Sequence, residues 1–153
     1  MEIDQELRRE MIVENYEHPF HRGLKEEEGY VKANTNNESC IDNIDIELKL
    51  EDGKVVDANF DGEACAISTS ATSLFLQKIV GKSIEEVKNI LENYQKMINE
   101  EDYDKDLLEE LTIYDSVALQ PNRKKCALLP KVTIEKILEK LKCKKNLIQM
   151  IYT

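Results

Sequence analysis

Apolar and polar positions alternate most strictly between residues 44 and 60. Ile44, Ile46, Leu48 and Leu50 are separated by Asp45, Glu47 and Lys49, the period of a strand with one buried face, and Val56, Ala58 and Phe60 resume the pattern after Asp52-Gly53. A plain two-residue loop would set Leu48 opposite Asp57 and mix apolar with charged side chains. A three-residue loop, Glu51-Asp52-Gly53 with Gly53 left-handed, pairs Leu48 with Val56, Ile46 with Ala58 and Ile44 with Phe60, and this is the expected hairpin. Tyr30 to Ala33 is a third strand candidate, followed by the polar turn residues Asn34 to Ser39.

Helical spacing takes over elsewhere. Leu7, Met11, Ile12, Asn15 and Tyr16 fit an amphipathic helix that must stop before Pro19. Ala66 to Val80 runs without Gly or Pro until Gly81, and Ser83 to Glu86 is a capping box opening the series Val87, Ile90, Leu91, Tyr94, Met97 and Ile98. The acidic run Asn99 to Asp106 breaks that pattern, and the region of about 99–115 reads as a solvated acidic insertion in an otherwise single domain spanning 1–153, with Leu107, Leu108 and Leu111 suggesting a further short helix under the run. Ile134, Ile137, Leu138 and Leu141 mark a closing helix. Pro130 lacks the amide that would bond the Cys126 carbonyl, so a kink or break is expected there.

Charge narrows the partners. A net charge of −10 over 153 residues argues against a phosphate backbone as ligand, which requires clustered Lys and Arg. No nucleic acid is expected. The N-terminus MEIDQELRRE has no apolar core, and no run approaches the ~18 apolar residues of a membrane span. A cytoplasmic protein without membrane contact is the expectation. His18 and His21 flank a loop without a neighbouring Cys and read as solvated rather than as ligands.

The candidate chemistry lies in the cysteines, which form no CxxC pair and match no secreted disulfide framework. Cys65 stands where a strand-like run ends and a helix-like run begins, so its sulfur would meet unpaired backbone N–H groups and the positive end of a helix dipole, which favour thiolate. Cys126 also falls near a helix start. The hairpin brings the segment just after Cys40 and Asp42 beside the segment just before Cys65. Cys40, Asp42, Cys65 and Cys126 together could supply a tetrahedral zinc site or thiolates for an iron–sulfur cluster. Spacing alone leaves that equal to three unrelated thiols. Cys143, before the apolar tail Leu147 to Tyr152, reads as packing.

Several stretches together resemble one family along nearly the whole chain. They are Ile12-Val13-Glu14-Asn15-Tyr16 through Pro19 to Gly23, Ser39-Cys40-Ile41-Asp42, the hairpin with Asp52-Gly53, Phe60-Asp61-Gly62-Glu63-Ala64-Cys65-Ala66-Ile67-Ser68, and Pro121-Asn122-Arg123-Lys124-Lys125-Cys126-Ala127. These look like the IscU/SufU family of iron–sulfur assembly proteins, related to the N-terminal part of NifU. The SufU branch is the better match. Lys125 stands where IscU proteins have a histidine ligand, the Cys65 to Cys126 interval is long, and Gln120-Pro121-Asn122-Arg123 replaces the LPPVK motif, so no LPPVK-reading chaperone is expected. The chain departs from the family at Ile41, usually Gly, and Glu38, commonly Pro. A β-branched Ile would be strained if that Gly serves through a positive φ.

The resemblance implies an α+β fold, a small antiparallel sheet of about three strands packed on one face by helices. It implies a zinc site of Cys40, Asp42, Cys65 and Cys126, and a role as a zinc-bound acceptor of persulfide sulfur from a SufS-type cysteine desulfurase, passing sulfur to a downstream iron–sulfur scaffold or apo-proteins. Cys40 is the expected acceptor, because it follows a polar loop while Cys65 and Cys126 are anchored at helix starts, and by resemblance to SufU a desulfurase histidine would take its place on zinc. Arg123 and Lys125 would give electrostatic support to thiolate or persulfide. The alternatives are a scaffold holding iron or a transient [2Fe–2S] cluster on the same ligands, and a purely structural zinc site in an interaction module.

Overall fold

In a computed structural model, residues 3–35 and 42–152 are described. The element order is α1 (Gln5–Glu17), β1 (Tyr30–Asn34), β2 (Asn43–Glu51), β3 (Lys54–Glu63), α2 (Ala66–Ile79), α3 (Ile84–Ile98), α4 (Lys105–Leu108), a 3-10 segment (Glu109–Leu119) and α5 (Pro121–Tyr152). The sheet is antiparallel in the order β1-β2-β3. The expected α+β class and three-stranded sheet are therefore present.

The β2–β3 hairpin differs from the expected register by two residues. Asp52 (φ 52°) and Gly53 (φ 74°) form a two-residue turn with both central residues left-handed, as a type I′ hairpin requires. Glu51 pairs with Lys54 and Leu50 with Val55, but the next pair is Lys49 with Asp57, so Val56 bulges out unpaired. Beyond the bulge Leu48 faces Ala58, Ile46 faces Phe60 and Ile44 faces Gly62. A shift of two preserves the side-chain parity, so Ile44, Ile46, Leu48, Ala58 and Phe60 still share one fully buried face. The bulge carries Val56 to the surface, 41% exposed.

Onto that face pack α2 and α5, with α3 laid against α5 and the 3-10 segment, and Phe75, Leu76, Ile79, Ile90, Tyr94, Ile134 and Ile137 complete one core. The capping box at Ser83 forms, the hydroxyl accepting the Glu86 N–H at 3.2 Å. Both sheet edges are covered. On the β3 side, Phe60 donates its N–H to the His21 carbonyl and accepts from Gly23 N–H. On the β1 side, Lys140 Nζ donates to the Lys32 carbonyl, and Lys136 Nζ to those of Asn34 and Thr35. Ammonium groups thus occupy an edge that could otherwise pair with another chain.

Three further expectations change. The segment about 99–115 is solvated only in part: Glu100, Glu101, Asp102, Asp104 and Asp106 are exposed, whereas Leu108, Leu111, Ile113 and Tyr114 are buried in the core. The run of acids masks an apolar face at its C-terminal end. Pro130 does not break α5, which continues through it as helix. Cys143 is exposed rather than packed, and the packing of Leu147 to Tyr152 lies outside the described side chains.

Candidate metal centre

The strand-to-helix junction is built by two local requirements. Gly62 has φ +126°, and a Cβ there would sit 2.1 Å from the Asn43 carbonyl oxygen, so only Gly lets β3 run this close to the start of β2. Cys65 then serves as the N-cap of α2, its Sγ accepting the Ser68 N–H at 3.4 Å. A sulfur in this position receives one of the unpaired N–H groups of the first turn, as the sequence implied.

Asp42 reaches the same point from the other strand. Its Oδ1 accepts the Cys65 N–H at 2.8 Å and its Oδ2 accepts the Ser68 hydroxyl at 2.8 Å. Cys126, on the second turn of α5, completes the cluster, and the donor atoms of Asp42, Cys65 and Cys126 all lie within 4.8 Å of one another. Asp42 is 2% exposed and Cys126 6% exposed. The fourth expected ligand, Cys40, lies outside the described residues, as do Ile41 and Glu38.

The electrostatics fit a cation. Burial alone would raise the Asp42 pKa, but donation from the Ser68 hydroxyl and the Cys65 N–H leaves it below the usual carboxylate range. Cys126 moves the other way, pushed up to about 11 by burial first and then by the neighbouring Cys65 and Asp42. A buried anion held by neutral donors, next to a thiol that resists ionisation, is an uncompensated arrangement. A positive ion among these three donors would reverse both penalties, and a set of two thiols and a carboxylate suits a borderline-soft divalent metal.

Arg123 and Lys125 are exposed on the first turns of α5, close in sequence to Cys126 and outside the group of Asp42, Cys65 and Cys126. His18 is exposed and His21 half-buried, and among the described residues neither belongs to a metal-holding group. Ser68, hydrogen-bonded to all three members of the cluster, is the residue that the sequence reading does not single out. Its signal was available in the unusual density of Ser68, Thr69, Ser70, Thr72 and Ser73 on a helix with no exposed polar face.

The model of the NifU-like N-terminal domain family matches residues 7–146. The iron–sulfur cluster assembly scaffold protein IscU of Thermotoga maritima is 38% identical over 105 residues, covering 69% of this chain and 74% of that protein. The zinc-dependent sulfurtransferase SufU of Bacillus subtilis is 32% identical over 131 residues, covering 85% and 88%. A crystal structure from Fervidobacterium islandicum, a candidate iron–sulfur cluster assembly scaffold protein for the SUF system, superposes with a TM-score of 0.75 at 27% identity, over 84% of this chain and 94% of that one. Among the described residues no helix is long and apolar enough to cross a membrane. By the span of the family match and the placement of its Asp and Cys residues, the chain belongs to the NifU-like N-terminal domain family of IscU/SufU-type iron–sulfur cluster assembly proteins.

Proposed function

We propose that the chain is a zinc-bound sulfur acceptor that takes persulfide sulfur from a SufS-type cysteine desulfurase and hands it to a downstream scaffold or apo-protein. The observation that carries this reading is the convergence of Asp42, Cys65 and Cys126 within 4.8 Å at one end of the sheet. Cys40 stands two positions before Asp42 in sequence and is the fourth ligand in this reading. The SufU relative, matched over 88% of its length, is described as a zinc-dependent sulfurtransferase, which supports zinc over iron here.

Zinc, when bound, supplies the positive charge that keeps the thiols deprotonated at neutral pH. The chain does the rest. Cys65 and Cys126 anchor the centre on α2 and α5, and Asp42 is held between them by two short hydrogen bonds. The Cys40 thiolate attacks the terminal sulfur of the desulfurase persulfide; the S–S bond of that persulfide breaks, and the desulfurase cysteine departs as thiolate. Arg123 and Lys125, exposed beside the Cys126 turn, offer positive charge toward that incoming anion.

Assembly of a [2Fe–2S] cluster on the same ligands is the second reading, favoured by the scaffold description of the Thermotoga maritima relative. Metal analysis of protein purified without oxygen, combined with a desulfurase turnover assay, separates the two. Zinc acceptance predicts about one zinc per chain and faster desulfurase turnover in its presence. Iron and labile sulfide in place of zinc, with no effect on turnover, would establish the scaffold instead.

A further inference from the structure

Ser68 touches every described ligand of the centre while being 0% exposed. Its hydroxyl oxygen lies 2.8 Å from Asp42 Oδ2, 3.1 Å from the Cys126 carbonyl oxygen and 3.5 Å from Cys65 Sγ. A hydroxyl has one proton, so it satisfies one acceptor at a time. The Cys126 carbonyl is an acceptor for a reason written in the sequence. In an α-helix it would bond the N–H four residues on, and position 130 is a proline, which has none. Ser68 therefore stands between two oxygens that both want its proton, one on a ligand side chain and one on the backbone of another ligand.

We propose that Ser68 is a positioning residue for the metal centre, holding the Asp42 carboxylate against the thiols, with the Cys126 carbonyl freed by Pro130 as the alternative acceptor when that carboxylate turns away. The inference rests on the metal-centre reading above and adds to it a device for release. With the proton on Asp42 Oδ2, the carboxylate is fixed by two donors, since Oδ1 keeps the Cys65 N–H. With the proton on the Cys126 carbonyl, no buried backbone group is left unpaired and Asp42 has lost one restraint. The two states differ by rotation of one hydroxyl, so exchange between them needs no movement of α2 or α5. Among the three described ligands, Asp42 is then the one held by an exchangeable restraint, and Cys65 and Cys126 are the ones fixed on their helices.

The two halves of the device predict opposite effects. Ser68→Ala removes the donor from Asp42, and partners of this kind typically contribute 10–100-fold in metal affinity. Ser68→Thr keeps the hydroxyl. Pro130→Ala restores an N–H for the Cys126 carbonyl, which weakens the competition for the Ser68 proton and leaves it on Asp42. The test uses the full chain loaded with zinc, with release timed by a colorimetric chelator and thermal melting of each metal-free variant run alongside. Expected are release about tenfold or more faster for Ser68→Ala, release near the parent rate for Ser68→Thr, and slower release for Pro130→Ala, with metal-free melting temperatures that do not follow this order. Release from Ser68→Ala at the parent rate overturns the positioning role. Release from Pro130→Ala as fast as the parent, or faster, overturns the alternative acceptor, and this variant decides the matter if Ser68→Ala does not fold. A parent protein that takes up no zinc would instead fail the metal-centre reading, a result told apart by the zinc content measured before release begins.

Discussion

Two carboxylates five positions apart in one stretch of chain are buried almost equally, Asp42 at 2% and Glu47 at 1% exposed, and they do different work. Glu47 lies on the sheet face away from the helices. Its Oε1 accepts the N–H groups of Lys25 and Glu26, both at 3.0 Å, and its Oε2 accepts Asn59 Nδ2 at 3.1 Å. Beside it Asp57 takes Lys25 Nζ at 2.9 Å and the Tyr30 hydroxyl. This carboxylate straps the segment between α1 and β1 across the sheet, and every donor around it belongs to the chain. Asp42 has two neutral donors and two sulfurs within 4.8 Å, so its acceptor capacity is left for something the chain does not supply. Burial of a carboxylate thus does not by itself mark a site; the kind of atoms that surround it does.

That contrast can be broken at either end, and the largest effect should come from the thiols. Cys65→Ala or Cys126→Ala should abolish stoichiometric zinc and bring the melting temperature of the zinc-loaded protein down to that of the metal-free form, since structural zinc contributes on the order of 10 kcal/mol. Full zinc occupancy in either variant would remove that residue from the site. Glu47→Ala should do the reverse. It leaves the Lys25 and Glu26 amides without their acceptor and should lower stability by about 1–3 kcal/mol in denaturant unfolding, with zinc content unchanged. Zinc lost along with stability in that variant would mean the two carboxylates are not separable.

A subtler effect follows from the thiol that resists ionisation. Because the folded pKa of Cys126 is pushed up to about 11 in metal-free protein, its contribution to stability is fully present below the ordinary thiol range and is lost as pH rises toward 11. Metal-free protein should therefore destabilise across that alkaline window more than Cys126→Ala does, and iodoacetamide at pH 8 should label exposed Cys143 well before Cys126. Equal labelling rates would contradict the burial of the centre. Smallest of all, Arg123→Ala should weaken activation of the desulfurase while leaving zinc bound, because the side chain is exposed and carries no atom of the Asp42, Cys65 and Cys126 cluster. Unchanged activation would make it a solvated surface residue.

Much of this was legible before any coordinates. Strict alternation from Ile44 to Leu50 fixes which side chains face the core, and that parity survived a register error of two. The error came from the bulge at Val56. A pattern of apolar positions cannot distinguish a three-residue loop from a two-residue loop plus a bulge, because both restore the same parity. The convergence of Asp42 with Cys65 followed from the hairpin in either register. Glu47 and Asn59 were hidden for the complementary reason: on a strand they read as the solvent side, and only the packing of Lys25 and Glu26 over them makes them buried. At Pro130 a kink or a break is the local expectation, yet α5 runs on as helix, with the Ser68 hydroxyl within reach of the carbonyl that lost its amide. Tertiary partners of this kind leave no local trace in the chain.

The central claim is that sulfur arrives at a centre from which one thiol can leave. Its most direct test is to react the zinc-loaded protein with desulfurase and cysteine, alkylate, and locate the added sulfur by mass spectrometry of the peptides. The account predicts the extra sulfur on Cys40, with Cys65 and Cys126 unmodified. Sulfur on Cys126 and none on Cys40 would contradict it, and would assign acceptance to the thiol of α5 instead.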